Sequence, residues 1–150
     1  MFTWLDFYLK IPVKQWFGVS MAYILNWENR GLEIRLSGMV TPAQVRRYEA
    51  DVYGDPYFDE LTYIIWNGAG IDDMMVDEDL MKESAAYSVG STRTKPVLNL
   101  AMVTCRAASP ELMRTFVEIN KALKSTWRIS VFEDVADARQ WAEQHPELQS

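Results

Sequence analysis

Five acids stand close together near the middle of the chain: Asp72, Asp73, Asp77, Glu78 and Asp79, with no base among them. Oxygens at that density suit a hard cation, which takes six or more oxygen ligands. The spacing lacks the alternating acids and central glycine of a calcium loop. Acids also serve a helix start, where they accept from free N–H groups and meet the positive end of the dipole. That use fits the sequence here, so no metal and no other cofactor is expected. Just before the acids, Gly68-Ala69-Gly70 follows an apolar run, where a dinucleotide loop would begin. The third glycine of that motif is missing, since Asp73 occupies its place, and the surrounding acids would repel a pyrophosphate. The two glycines are read instead as permitting a sharp turn.

Nucleophilic chemistry has little to draw on. Cys105 is the single cysteine and His145 the single histidine. Arg106 beside Cys105 favours a thiolate, but no histidine lies nearby in sequence to pair with it. His145 falls where a final helix ends, a place for a cation to meet terminal carbonyls. No nucleophile-elbow pattern is present. With no acid–base or nucleophile pair to recognise, the chain is expected not to be an enzyme.

The elements that position these residues follow from local pattern. The run Leu61–Asn67, L-T-Y-I-I-W-N, is apolar, β-branched and aromatic, and predicts a central strand covered on both faces. It is expected to end at Gly68-Ala69-Gly70, and a strand feeding a helix through a loop is where open α/β sheets carry function. Upstream, Ala22–Glu28 and Leu32–Ser37 flank the turn Asn29-Arg30-Gly31 as a hairpin, with Gly38 ending the second strand. Thr41-Pro42-Ala43-Gln44 carries a cap, a proline at the first helical position and a capping box, with Val45, Tyr48 and Val52 as the buried stripe. Downstream, Asp77 is the N-cap of a helix reaching Gly90, with Leu80, Ser84 and Tyr87 on one face. Val97–Thr104 is a buried strand. Ser109-Pro110-Glu111 opens a helix with Leu112, Phe116, Ile119 and Leu123 at helical spacing. Trp127–Phe132 is the last strand, and Asp134 caps a last helix whose Val135, Ala138, Trp141 and Ala142 face inward. The order β-β-α-β-α-β-α-β-α predicts an α/β domain whose sheet is mixed but mostly parallel, with about five strands and about four helices.

Composition narrows the classes. A chain of 150 residues is one domain's length. Acids outnumber bases 21 to 15, for a net charge of −6, which disfavours nucleic acid as a partner. No run is apolar for long enough to span a bilayer, and the start lacks a signal-peptide pattern, so the chain reads as soluble and cytoplasmic. Residues 1–20 form an aromatic arm with Phe2, Trp4, Phe7, Tyr8, Trp16 and Phe17, leading into a domain at 21–150. Such an arm is expected to bury its rings against its own domain or across a homodimer. Lys10 and Lys14 are too few for the basic face of an interfacial anchor.

Over residues 21–144 the chain resembles the STAS-like, SpoIIAA-like proteins, a group related to the lipid-binding Sec14 domains. The resemblance is carried by the opening hairpin into L-S-G-M-V-T-P-A-Q, by D-P-Y-F-D-E-L-T-Y-I-I-W before the central strand, and by W-R-I-S-V-F-E-D-V-A-D-A-R-Q-W at the end. It implies a single STAS-like domain that works as an interaction module. Some relatives are anti-sigma factor antagonists, switched by phosphorylation of a serine at the start of the helix after the central strand. This chain departs there: no Ser or Thr lies between Asn67 and Asp79, and a phosphate among the acids would be repelled.

The expected function is therefore a non-enzymatic protein-interaction or regulatory module. Its contact surface is expected at Gly68, Gly70, Ile71, Asp72, Asp73, Met74, Met75 and Asp77, with an apolar patch if Ile71 and Val76 are exposed. The partners are another protein or a second copy of the chain. The alternative is a Sec14-like carrier of a lipid or other small apolar ligand, in a pocket lined by Trp66, Met74 and Met81.

Overall fold

The computed structural model describes residues 23–144. The aromatic arm 1–20 and His145 lie outside the described residues. Strands β1 (Tyr23–Glu28) and β2 (Gly31–Val40) form the expected hairpin, paired antiparallel from Tyr23–Leu36 to Glu28–Gly31. Helix α1 (Pro42–Tyr53) opens on the capping box read from sequence. Thr41 Oγ1 accepts from Gln44 N at 3.4 Å, and Gln44 Oε1 accepts from Thr41 N at 2.8 Å. Val45, Tyr48 and Val52 are buried as expected, and each such side chain contributes about 1.5–3 kcal/mol by leaving water. Gly54 ends the helix, and a short 3-10 turn at Pro56–Glu60, held by Asp55 Oδ1 accepting from Tyr57 N at 2.8 Å, leads to β3.

Strand β3 (Tyr63–Met74) is the main departure from the sequence reading. It does not stop at Asn67, and Gly68-Ala69-Gly70 is not a turn: the ladder continues seven residues further. The reason lies in its neighbour. β2 also runs past Gly38 to Val40, and Ser37, Gly38, Met39 and Val40 pair with Gly70, Ile71, Asp73 and Met74 across two register shifts. Each strand's extension supplies the hydrogen-bond partners of the other.

Helix α2 (Glu78–Ser91) starts on Asp77, whose Oδ1 accepts from Leu80 N at 2.9 Å. Strand β4 (Asn99–Val103) precedes helix α3 (Pro110–Ala122), and strand β5 (Arg128–Phe132) precedes helix α4 (Val135–Ala142). Two stripes differ from the spacing read in the sequence. On α3 the buried residues are Met113, Phe116 and Asn120, while Leu112 and Ile119 pack at the margin and Leu123 is exposed. Asn120 goes inside because Ser88 Oγ donates to its Oδ1 at 3.1 Å and its Nδ2 donates to Phe116 O at 2.9 Å. On α2, Leu80 and Ser84 are buried, but Tyr87 is half-exposed and stacks on Tyr53 with ring centroids 4.9 Å apart.

The sheet order is β1-β2-β3-β4-β5, antiparallel at the first pair and parallel at the rest. Every crossover after β2 steps the same way along the sheet. Right-handed connections then place their helices on one face. Accordingly Val45, Leu80 and Met113, from α1, α2 and α3, share one core with Leu32, Ile64 and Leu100. The other face is covered by α4, whose Ala138 and Ala142 lie against Tyr63, Ile65, Ala101 and Val103. Alanine at those two positions lets the helix approach the sheet closely.

Candidate functional site

The residues singled out as a contact surface lie on the last third of β3 and the entry to α2. Glycine at position 68 serves a close approach and not a turn. A side chain there would meet the Trp66 ring at 2.6 Å and Val103 O at 2.9 Å. Cys105, two residues past β4, lies beside this extension with its thiol 3.4 Å from Gly68 O and 3.6 Å from Ile71 O. Met75 N donates to Val40 O at 2.8 Å, which carries the pairing one residue beyond the strand.

This geometry divides the candidate residues. Ile71 and Val76 are buried, so the continuous apolar patch expected on their exposure does not form. Met74 is partly buried against the core. Gly70, Asp72, Asp73, Met75 and Asp77 are exposed, and Met75 is 58% accessible. Met39, paired with Asp73 across the ladder, is 46% accessible. The exposed set is therefore a row of acids with two methionines, on a strand end paired with β2. Asp72 and Asp73 stand on the strand, Asp77 caps α2, and Glu78 and Asp79 fill its first turn. Among the described residues no group of three or more His, Cys, Asp or Glu side chains is placed to hold a metal ion. Arg128 lies over the Trp141 ring of α4 at 5.4 Å.

The pocket of the carrier reading is small. A gap lies between α1, α2, α3 and the sheet, with a volume of about 40 Å³. Trp66 and Met81 line it as expected; Met74 does not. A ligand pocket normally measures a few hundred Å³. The most distinctive group in the gap is Glu49, which sequence reasoning missed. It is buried, and its Oε2 accepts from Ser84 Oγ at 2.8 Å. Burial pushes its carboxyl up to about 7, against the pull of the Ser84 hydrogen bond. Nearby, Trp66 Nε1 donates to the Tyr48 hydroxyl at 2.9 Å.

A second polar cluster was also invisible in the sequence. On the α4 side, Arg139 donates from Nη1 and Nη2 to the two oxygens of Glu28, each at 2.9 Å, and from Nη2 to Glu33 at 3.4 Å. The Tyr63 hydroxyl donates to Glu28 Oε1 at 2.5 Å, and Asn67 Nδ2 donates to Glu33 Oε2 at 2.8 Å. The Arg139 guanidinium holds Glu28 below the usual carboxylate range. Burial opposes ionisation of Glu33, but bonds from Arg35 and Asn67 outweigh it and its carboxyl is also lowered. Every oxygen of this carboxylate pair accepts at least one hydrogen bond. The one signal in the sequence was alternation: Glu33 and Asn67 occupy inward positions on the α4 face.

No family model and no curated protein matches this sequence. Among solved structures, one titled "Structure of the Anti-Sigma Factor Antagonist SpoIIAA in its Unphosphorylated Form" matches at 19% identity, covering 80% of this chain and 97% of that one, with a TM-score of 0.47. The chain is similar to SpoIIAA. No described helix is long and apolar enough to cross a membrane.

Proposed function

We infer that the protein is a non-enzymatic interaction or regulatory module, of the kind its resemblance to STAS-like proteins implies. Its contact surface is the exposed end of β3 with the entry to α2: Gly70, Asp72, Asp73, Met75 and Asp77, with Met39 beside them. The observation that carries this reading is the combination of Met75, largely in solvent, with a strand end that stays paired to β2 as far as Met74. An apolar, adaptable side chain on a fixed platform is suited to meeting another protein. The acids around it favour a partner with a basic face. The first hydroxyl after Asn67 is Ser84, buried and bonded to Glu49, so a phosphate switch at the start of α2 forms no part of this reading.

The test compares three variants in affinity capture from the native cell lysate, with capture identified by mass spectrometry. Met75→Asp and the double change Asp72→Lys, Asp73→Lys should each lose a partner that the unaltered protein retains. Leu123→Asp, exposed at the far end of α3, should retain it. Equal capture by all three would remove the β3 end from consideration. The gap beneath α1 and α2, at about 40 Å³, is too small for an acyl chain, which speaks against a lipid carrier.

A further inference from the structure

Glu49 has an unusual setting. It projects from α1 into the gap beneath α2, where the lining is otherwise apolar or aromatic apart from Ser84 and the hydroxyl-bearing rings of Tyr48 and Tyr53. Among the described residues no arginine or lysine bonds to it. Arg46, one turn back on α1, is engaged with Glu83 of α2 at 3.0 Å on the solvent side. A buried acid usually has a cation or several donors to satisfy it. Here one hydroxyl does so, and the space beside the carboxyl is open.

The gap has room for a small group. A water needs about 10–15 Å³ of such space, so 40 Å³ accommodates two or three atoms of that size. Four oxygen-bearing side chains line it: Glu49 with its carboxyl, Ser84 whose hydroxyl donates to it, Tyr48 whose hydroxyl accepts from Trp66, and Tyr53. Tyr53, Trp66 and Phe116 supply aromatic walls, and aromatic faces attract cations. Carboxylate, hydroxyls and aromatic faces together are the complement of a small organic ammonium. We propose that the gap between α1, α2 and the sheet is a binding site for a small primary alkylammonium group, with Glu49 as its counter-charge.

Binding ionises Glu49, and below neutrality the displaced proton leaves to solvent. The ammonium N–H groups donate to Glu49, Ser84 and Tyr48, and its carbon sits against the rings. The charged and titratable groups facing Glu49 are Arg46, Tyr48 and Tyr53 from α1, and Glu83 with Ser84 from α2. The Arg46–Glu83 pair is neutral as a unit, and both tyrosines stay protonated, with burial raising each of them. Glu49 therefore sets the pH response. With its carboxyl at about 7, affinity should rise about tenfold from pH 6 to pH 8 and then level off.

The experiment is an NMR titration of the full chain with methylammonium chloride, against methanol and sodium chloride as controls, at pH 6 and pH 8. The reporters are the Trp66 indole N–H and the Ser84 amide. Saturable shifts with methylammonium alone, about tenfold weaker at pH 6 and absent in Glu49→Gln, support the site. Equal shifts with methanol, no saturable shift, or unchanged binding in Glu49→Gln would overturn it. The methanol and pH comparisons use the unaltered protein, so they decide the matter even if Glu49→Gln fails to fold. The site stands apart from the β3 end, and its failure leaves the reading of that surface untouched.

Discussion

Arg139 on the last helix grips Glu28 at the end of the first strand through two parallel hydrogen bonds of 2.9 Å, across 111 residues of chain. The fork of the guanidinium matches the two carboxylate oxygens, which makes such pairs stronger than single bonds. Both side chains are partly exposed, at 31% and 21%, so solvent screens part of the attraction. Arg139→Leu should lower stability by about 1–2 kcal/mol, read as a lower midpoint in urea with an unchanged slope. A change within 0.3 kcal/mol of zero would show that the grip adds nothing.

The same cluster sets the acid limb of stability. Glu28 and Glu33 have lowered carboxyls in the folded chain. Their contribution is fully present above the ordinary carboxylate value of about 4.3, and it is lost as pH falls through their lower folded values. Thermal melts from pH 6 down to pH 2 should show a fall that is shallower in Glu28→Gln. Identical slopes would contradict the assignment.

Glu49 acts in the opposite sense. Its carboxyl is raised from 4.5 to about 7, so the unfolded chain releases this proton first. Stability should decline as pH rises from about 4.5 to about 7 and stay level beyond, by about 3 kcal/mol at about 1.4 kcal/mol per unit. Glu49→Gln keeps an oxygen for Ser84 and should remove that decline. If its stability at pH 8 does not exceed that of the unaltered protein, the Glu49 carboxyl is not raised in the folded chain.

Gly31 starts β2 directly opposite Tyr63. A Cβ at position 31 would lie 2.0 Å from Tyr63 Cζ, so the ring must move and its hydroxyl must leave Glu28. Gly31→Ala should cost about 1–3 kcal/mol, the usual range for overpacking. The double change Gly31→Ala, Tyr63→Val should recover part of it. Equal stabilities of the single and double variants would separate the glycine from the ring.

Ser109 caps α3 while holding φ at 48°. Its hydroxyl accepts from Leu112 N at 3.5 Å, but its backbone conformation suits glycine. Ser109→Ala loses the cap and keeps the unfavourable φ, and should cost about 1 kcal/mol. Ser109→Gly loses the cap but relaxes the backbone, and should cost only a few tenths. The reverse ranking in denaturant melts would refute this account.

Local signals were legible and distant ones were not. Thr41 with Gln44, Asp77, Ser109 and Asp134 each marked a helix start correctly, because a cap is made within four residues of itself. The element order and the antiparallel edge followed from those starts. The end of β3 did not, because what keeps Gly68–Met74 in the sheet is the continuation of β2 more than thirty positions earlier. Asn120 was unreadable as a core position without Ser88 beside it. The proposed contact surface was half legible: its acids are exposed as their type suggests, whereas Met75 is exposed against its type and Ile71 and Val76 turn inward. Glu49 carried no local mark, since a glutamate within a helix normally faces water.

Strand order in the sheet is also chain order. A chain that grows in this order can add each strand at an open edge, and no strand has to be inserted between two others. Helix α4 covers the face of Tyr63, Ile65, Ala101 and Val103 and brings Arg139 to Glu28, so a chain cut before residue 135 would keep every strand and leave that face bare.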